Sequence, residues 1–325
     1  MHPSLPLPPD RARLQLARVL GGDGNQVLGI AFHPTRPLLA SANGDGALRL
    51  WDVTTGGTQL LSKGGGAWLS DIVCQPGGQF LAAGDSNGAV WLWDLTTGRP
   101  RQQWDGHRFA ILSLAFSPNG QVLASTSVDG AIHLWRMGFT SAFLTLEGHT
   151  DAVESVAFHP GGQIIATASQ DGTVRLWHAV NGQQLAILLQ STHWVHSVAF
   201  SPDGRWLASS LETGETHIWD MQNGQRSHQL SGHQGSVLDL VFSPDSRLLA
   251  TASADSTVRL WATETGRALA VVVGHTDAVS TVEFSQHPIK IAVTSSFQTP
   301  SSESLFLATG SYDGSVRLWS VLTRP

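Results

Sequence analysis

Tryptophan recurs at a constant interval along most of this 325-residue chain, and that period limits the possible folds more than any other feature of the sequence. Six tryptophans follow one another at intervals of 42 residues: Trp51, Trp93, Trp135, Trp177, Trp219 and Trp261. A seventh copy would place its tryptophan at position 303, but it occurs at Trp319, so the last unit carries an insertion of 16 residues. A period of about 40–45 residues indicates one repeat architecture rather than two or three unrelated domains.

Each unit contains four short runs with β-strand character. In the fourth unit, three runs cover residues 153–158, 164–168 and 173–177, and a fourth follows the turn at Asn181-Gly182. The sequence Asp171-Gly172 is a tight-turn signal between the second and third runs. Each unit therefore predicts a four-stranded antiparallel meander. Because one small sheet cannot bury both of its faces alone, seven such sheets predict an all-β, seven-bladed propeller.

The length of the chain predicts how the ring closes. Seven units that start at residue 23, with the insertion, would extend to about residue 332, but the sequence ends at residue 325. Residues 14–20 match the fourth-strand pattern, so we expect this N-terminal strand to complete blade seven. The predicted organisation is a tail over residues 1–12 and one propeller over 13–322, with an insertion at 286–304. The blades are expected to start near residues 23, 65, 107, 149, 191, 233 and 275.

The repeated Gly-His, Asp-Gly and Trp positions resemble the WD40 repeat family over nearly the whole chain. The literal Trp-Asp pair occurs in three units, at Trp51-Asp52, Trp93-Asp94 and Trp219-Asp220. The resemblance implies a WD40-type β-propeller with four-stranded antiparallel blades. The regular spacing is also similar to that of WD-repeat proteins of bacteria, including cyanobacteria.

The resemblance to WD40 proteins implies a buried hydrogen-bonded tetrad of His, Ser or Thr, Asp and Trp in four blades. These tetrads are His107, Ser127, Asp129 and Trp135; His149, Ser169, Asp171 and Trp177; His233, Ser253, Asp255 and Trp261; and His275, Ser311, Asp313 and Trp319. A buried carboxylate needs hydrogen-bond donors, which imidazole, hydroxyl and indole supply. A nucleophile repeated four times within buried turns has no evident access to a substrate, so we expect structural tetrads and no catalytic residue.

Three blades depart from the tetrad pattern and are expected to be the less stable sectors. At the four positions, blade one has Asp23, Asn43, Asp45 and Trp51, blade two has Gly65, Asp85, Asn87 and Trp93, and blade five has Ser191, Leu211, Thr213 and Trp219. Each charge-assisted hydrogen bond that is missing is worth about 1.5–3 kcal/mol before compensation.

Composition argues against several other classes of protein. A net charge of −6 and an isoelectric point near 6.1 provide no basic field, so nucleic-acid binding is not expected. The sequence has no apolar run long enough to cross a membrane and no complete phosphate-binding glycine motif, and its single cysteine cannot form an intrachain disulfide or a thiolate cluster. We therefore expect no cofactor, no metal, no membrane association and a cytoplasmic location.

Propellers recognise partners through the loops at their ends, and in the WD40 family the top face, which carries the His and Asp loops, commonly binds peptides. The matching positions here are Leu28, Trp68, Leu112, Val128, Glu154, Gln170, Trp194, His196, Glu212 and Tyr312. Blades one to three contribute an apolar sector, and blades four and five contribute an acidic one. We expect this face to bind a protein segment that has an apolar and a basic residue. The alternative is that Trp68 and Trp194 only fill space against adjacent loops.

The predicted function is that of a non-catalytic scaffold for protein–protein interaction, as a monomeric propeller within a complex. One alternative is a regulatory propeller subunit of a larger enzyme or signalling assembly. Another is a propeller hydrolase, for which Glu154 and Glu212 are the only candidate carboxylates at the channel mouth. The sequence assigns no role to the insertion, and it does not decide between the top and the bottom face as the main binding surface.

Overall fold

A computed structural model describes residues 12–21, 24–63, 66–291 and 304–323, and these residues form 28 β-strands. The first fourteen strands are β1 (Ala12–Gly21), β2 (Val27–Phe32), β3 (Leu38–Asn43), β4 (Ala47–Asp52), β5 (Thr58–Lys63), β6 (Leu69–Cys74), β7 (Phe80–Asp85), β8 (Ala89–Asp94), β9 (Arg99–Asp105), β10 (Ile111–Phe116), β11 (Val122–Ser127), β12 (Ile132–Arg136), β13 (Ala142–Leu146) and β14 (Val153–Phe158). The other fourteen are β15 (Ile164–Ser169), β16 (Thr173–His178), β17 (Gln184–Gln190), β18 (Val195–Phe200), β19 (Trp206–Leu211), β20 (Thr216–Asp220), β21 (Gln225–Leu230), β22 (Val237–Phe242), β23 (Leu248–Ser253), β24 (Thr257–Ala262), β25 (Ala268–Val273), β26 (Val279–Phe284), β27 (Leu305–Ser311) and β28 (Ser315–Thr323).

The strands form seven four-stranded antiparallel sheets, which confirms the predicted propeller. Blades one to six each use four consecutive strands, from β2–β5 to β22–β25. The second strand of each blade is buried on both faces and is rich in small residues; β15, for example, reads Ile-Ile-Ala-Thr-Ala-Ser. The fourth strands lie at the outer edge, and most of the residues of β17 are exposed or half-buried. This gradient follows from stacking, because only the rim of each sheet extends beyond its neighbours.

The hydrophobic core is divided among the seven interfaces between blades. Seven clusters of buried residues each combine two neighbouring blades. At the interface of blades two and three, Leu92 of β8 packs with Leu114 and Trp135 of blade three. At the closing interface, Leu20 and Phe306 of blade seven pack with Trp51 of blade one. Every blade therefore buries one face against each neighbour, and no interface is left open.

The N-terminal strand β1 completes blade seven, as predicted. It pairs antiparallel with β28, from Ala12 opposite Thr323 to Gly21 opposite Ser315, and the sheet order is β1-β28-β27-β26. The Arg18 guanidinium on β1 also donates hydrogen bonds to the carbonyls of Thr54 and Thr55 in blade one, both at 3.0 Å. The strand that closes the ring is thus fixed to both blades at the junction.

Several predicted features fall wholly or partly outside the described residues. These are residues 1–11 of the predicted tail, positions 23 and 65 of blades one and two, and residues 292–303 of the predicted insertion. The described residues around that insertion connect β26 to β27, and Ile289 forms an isolated antiparallel bridge with Ser304. No helix in the described part of the chain is long and apolar enough to span a membrane.

Deleting residues 1–20 should destabilise the ring, because it removes most of β1 and the buried Leu20. Burial of one leucine side chain is worth about 1.5–3 kcal/mol, so with the strand pairing we expect a loss of at least about 3 kcal/mol. Thermal melting followed by circular dichroism measures this. A deletion of residues 1–11, which ends before β1, is the matched control. An unchanged melting temperature in the longer deletion would contradict the closure by β1.

Candidate functional site

Seven β-bulges shape the central channel at its top end. In each blade the pairing of the first and second strands skips one residue of the first strand: Leu28, Ser70, Leu112, Glu154, His196, Leu238 and Ser280. A bulge sets two residues opposite one on the partner strand, so two consecutive side chains can face the same side. Both the skipped residue and the next one line the channel in six blades.

The channel mouth is a small cavity that brings four of the predicted site residues together. It has a volume of about 110 Å³ and includes Leu28, Leu112, Glu154 and His196 among its lining residues. The other lining residues are six serines or threonines, Asp71, Asp239 and Leu238. The mouth therefore combines three leucines, from blades one, three and six, with polar side chains from blades two to seven.

Three further predicted residues are exposed at the top. Trp68 is 49% exposed, Trp194 is 44% exposed and Val128 is 45% exposed. Sequence reasoning missed Phe109, which is 58% exposed in the loop that precedes β10. Its position directly after the His107-Arg108 pair was the available signal, because that loop lies at the top end of the blade.

The acidic residues of blades four and five are held by local hydrogen bonds. Glu154 accepts a hydrogen bond from the Gln170 side chain at 2.5 Å. Glu212 is 3.1 Å from the His193 ring and accepts a hydrogen bond from the backbone N–H of Trp194. These contacts fix the two carboxylates in place while each keeps capacity to accept from a ligand.

Aromatic side chains adjoin both carboxylates. The rings of Trp194 and His196 meet edge to face, with centroids 6.3 Å apart. Burial lowers the pKa of His196, although the charges of Glu154 and Glu212 act in the opposite direction. Tyr312 is half-buried, and burial followed by the charges of Asp277 and Glu154 raises its pKa. The acidic sector therefore extends towards blade seven.

Sequence reasoning also missed three carboxyl groups inside the ring, where each links its own blade to the next. Asp71 accepts a hydrogen bond from the Leu114 backbone N–H at 2.7 Å, and Asp239 accepts one from Val282 at 2.9 Å. Glu283 accepts one from Phe32, across the junction of blades seven and one. The signal was present in the repeat: the column of Asp71 is small or polar in every blade, and Glu283 stands in a column that is otherwise Ala or Val.

Burial raises the pKa of each of these three carboxyl groups. Although backbone hydrogen bonds favour the charged form, burial raises the pKa of Asp71 to about 7, of Asp239 to about 6 and of Glu283 to about 8. The charge of Asp239 adds to the rise at Asp71 and Glu283. Removing a charge from water costs more here than the backbone donors return. Loss of the protons from these carboxyl groups should therefore lower the stability of the ring.

The tetrads are present in the predicted four blades, but the bridging hydroxyl lies two residues earlier than predicted. In blade four, Trp177 donates to the Thr167 hydroxyl at 2.8 Å, and Thr167 is 2.7 Å from the Nε2 atom of His149. The Nδ1 atom of His149 is 2.8 Å from Asp171. The bridging residues in the four blades are Ser125, Thr167, Thr251 and Thr309.

The predicted serines Ser127, Ser169, Ser253 and Ser311 were therefore wrong as links between His and Trp. In blade three Trp135 lies opposite Leu123 in the sheet, so Ser125 is two positions further along the strand and Ser127 is four. At about 3.3 Å per residue, Ser127 is about 13 Å along the strand, beyond the reach of an indole. Instead, these serines accept from the backbone N–H of the tetrad aspartate and donate to a carbonyl of the top loop.

The donors and acceptors of each tetrad determine which group donates in each of its hydrogen bonds. The hydroxyl accepts from the indole N–H, so its own proton is donated to Nε2 of the imidazole, which must be unprotonated there. The Nδ1–H group then donates to the aspartate. In agreement, burial lowers the pKa of His149, and hydrogen bonds from Thr173 and His149 outweigh burial and lower the pKa of Asp171 to about 2. The tetrads thus pair a neutral histidine with a charged aspartate.

Blades one and five keep only the tryptophan end of the network. Trp51 donates to Ser41 at 3.0 Å, and Ser41 donates to the Asn43 side-chain oxygen. In blade five Trp219 donates to Ser209 at 3.1 Å. Positions 23 and 65 lie outside the described residues. Among the described residues, no group of three or more His, Cys, Asp or Glu could hold a metal ion.

Thr167→Val should destabilise the protein by about 1–3 kcal/mol, because it leaves the Trp177 N–H and the His149 Nε2 without their shared partner while the side chain keeps its shape. Chemical denaturation measures the free energy of unfolding. Thr150→Val is the control, since Thr150 is exposed in the same blade and its hydroxyl makes no hydrogen bond with the described residues. An equal effect of the two substitutions would contradict the bridging role of Thr167.

Asp71→Asn should become increasingly favourable to stability as the pH rises. Since the folded-state pKa of Asp71 is raised above its usual value near 4, the folded wild type holds a proton that the unfolded chain loses, and its stability falls between about pH 4 and pH 7. Asparagine does not titrate, so we expect the variant to gain roughly 1–3 kcal/mol relative to wild type from pH 4 to pH 8. Urea unfolding at both pH values measures this, with exposed Asp105→Asn as the control. A pH-independent difference would show that Asp71 is charged throughout.

Comparison with known proteins identifies the repeat. The family model described as WD domain, G-beta repeat matches residues 14–52, 58–94, 98–136, 141–178, 182–220, 224–262 and 266–320. A comparison with curated proteins returned no significant match. WD40 propellers typically act as scaffolds that bind protein partners. With seven matched repeats that together cover most of its length, the chain belongs to the WD40 repeat family.

Proposed function

We propose that this WD40 propeller is a non-catalytic interaction scaffold whose top face binds a peptide segment with one apolar and one basic residue. The observation that carries the proposal is the exposure of Trp68 and Trp194. The other ten tryptophans of the chain are buried or half-buried, whereas these two leave nearly half of their surface in solvent. Large aromatic side chains dominate the binding energy of protein interfaces, so their exposure on the recognition face favours a binding role.

Charge on the same face supports a basic residue in the partner. The carboxylates of Glu154 and Glu212 lie close enough to His196 to interact with it electrostatically. Asp151 and Asp277 are exposed in the top loops of blades four and seven. Complementary charges raise the rate and the specificity of association more than the affinity. The apolar residue of the partner would contact Trp68, Val128 and the nearby Phe109, which are exposed in blades two and three.

Trp68→Ala and Trp194→Ala should each weaken peptide binding at least about tenfold without changing the melting temperature, because the rings contact the partner rather than the core. The wild type is screened on an array of peptides that combine leucine with arginine or lysine. The dissociation constant of the strongest binder is then measured by fluorescence polarisation.

Phe139→Ala is the matched control, since Phe139 is 59% exposed but lies between the third and fourth strands of blade three, at the opposite end. We expect its affinity to equal that of wild type. Replacing the basic residue of the peptide by glutamine should weaken binding to wild type but have less effect on Glu154→Gln. Retained binding together with a lower melting temperature in the tryptophan variants would mean that both rings only fill space between loops.

A further inference from the structure

In blade two the repeat tryptophan, Trp93, has no hydrogen-bond acceptor for its indole N–H in the part of the chain that the structure describes. In the other six blades the repeat tryptophan donates to a hydroxyl of the second strand, at distances from 2.8 to 3.1 Å. The corresponding residue of blade two is Ala83, which has no acceptor in its side chain. Trp93 is only 5% exposed, and its indole N–H has no acceptor among the described residues. The Trp93 nitrogen is not one of the fully buried polar atoms that lack a partner, so water or a ligand can reach this donor.

The same tryptophan lines a cavity between blades one and two. The cavity has a volume of about 360 Å³, within the range of small-molecule sites. Its apolar lining comes from both blades and consists of Leu61, Ala67, Leu69, Trp91, Trp93 and Pro100. The indole rings of Trp91 and Trp93 lie with centroids 6.2 Å apart and are tilted by 38°. Together these residues offer two aromatic surfaces to a flat ligand.

Three polar side chains complete the lining: Ser62, Asp85 and Asn87. The Asp85 carboxylate accepts from the indole N–H of Trp91 at 2.8 Å and from the backbone N–H groups of Asn87 and Ala89. Asp85 is 5% exposed, so these donors hold its negative charge at the cavity wall. A carboxylate can accept up to about four hydrogen bonds, which leaves Asp85 able to accept one from a ligand. The Trp93 N–H group and the Asp85 carboxylate can thus give a ligand in the cavity one donor and one acceptor.

The complete tetrads show which chemistry satisfies this combination of groups. In blade four the His149 ring links the Thr167 hydroxyl to the Asp171 carboxylate. Its Nε2 atom accepts from Thr167, and its Nδ1–H group donates to Asp171. In blade two the repeat position of that histidine is glycine in the sequence, and the bridging hydroxyl is replaced by Ala83. A heteroaromatic ring with one acceptor nitrogen and one N–H group would supply what blade two lacks.

We propose that the cavity between blades one and two binds a planar, two-ring heteroaromatic compound that has both a ring-nitrogen acceptor and an N–H donor. The ring nitrogen accepts a hydrogen bond from the Trp93 indole N–H, and the N–H group of the ligand donates to Asp85. The second ring packs on Trp91 and on the apolar residues of blade one. A single-ring azole satisfies the same polar groups but leaves much of the 360 Å³ unfilled, so two rings bind more tightly.

Benzimidazole is the probe for this site, because it has one acceptor nitrogen and one N–H donor on two fused rings. We expect saturable binding by isothermal calorimetry, with a shift of the Trp93 indole proton in the nuclear magnetic resonance spectrum. Indole is the matched ligand control: it keeps the shape and the N–H donor but lacks the acceptor. Loss of one hydrogen bond is worth about tenfold in affinity, so indole should bind about tenfold more weakly.

The matched protein variants are Trp93→Phe and Trp135→Phe. Trp93→Phe removes the donor and should weaken benzimidazole binding about tenfold but leave indole binding nearly unchanged. Trp135→Phe breaks the equivalent bond in blade three and should leave both affinities as in wild type. Ala67→Phe keeps Trp93 but places a large side chain in the cavity lining, and it should abolish binding in a folded protein. Absence of saturable benzimidazole binding to wild type, or equal affinity in the wild type and the Ala67→Phe variant, would overturn the proposal.

Discussion

Every blade of this protein has two apolar faces, and the need to cover both determines the rest of the structure. The second strands are buried on each side, as the small residues of β11 and β15 show, so an isolated blade would leave a large apolar surface in water. A row of blades would leave one such face at each end. Only a closed ring covers all fourteen faces, which is why the seventh interface, between Phe306 and Trp51, is as apolar as the other six.

The regularity of the repeat explains why much of the architecture could be predicted from the sequence. Tryptophan and glycine recur because one indole and several tight turns are needed in each blade, and their spacing determines the number of blades. The bridging hydroxyl was misplaced because two positions carry Ser or Thr in the same strand, as in Ser125 and Ser127 or Thr167 and Ser169. Composition cannot separate these positions. The distance that the indole spans across the sheet decides between them, and this distance depends on the register of the strand pairing in the folded protein.

The channel was harder to predict, since a β-bulge has no strong signature in a short strand. Simple alternation would turn Asp71 away from the side that its neighbour Ser70 faces. The bulge lets both residues face the channel, and the Asp71 carboxyl group becomes a link between blades. The same limit applies to blade two, where the departures at Ala83 and Asp85 were visible but the cavity beside Trp93 depends on how blade one packs against it.

The pairing of β1 with β28 has a consequence for the order in which the protein can fold. Gln15 and Ser320 meet in this sheet although 305 residues separate them. At synthesis rates of about 5–20 residues per second, β1 leaves the ribosome roughly 15–60 s before its partner exists. Blades one to six can form during this interval from neighbouring segments, while β1 remains unpaired. Pairing of β1 with β28, which is synthesised last, is therefore the step that closes the stack of blades into a ring.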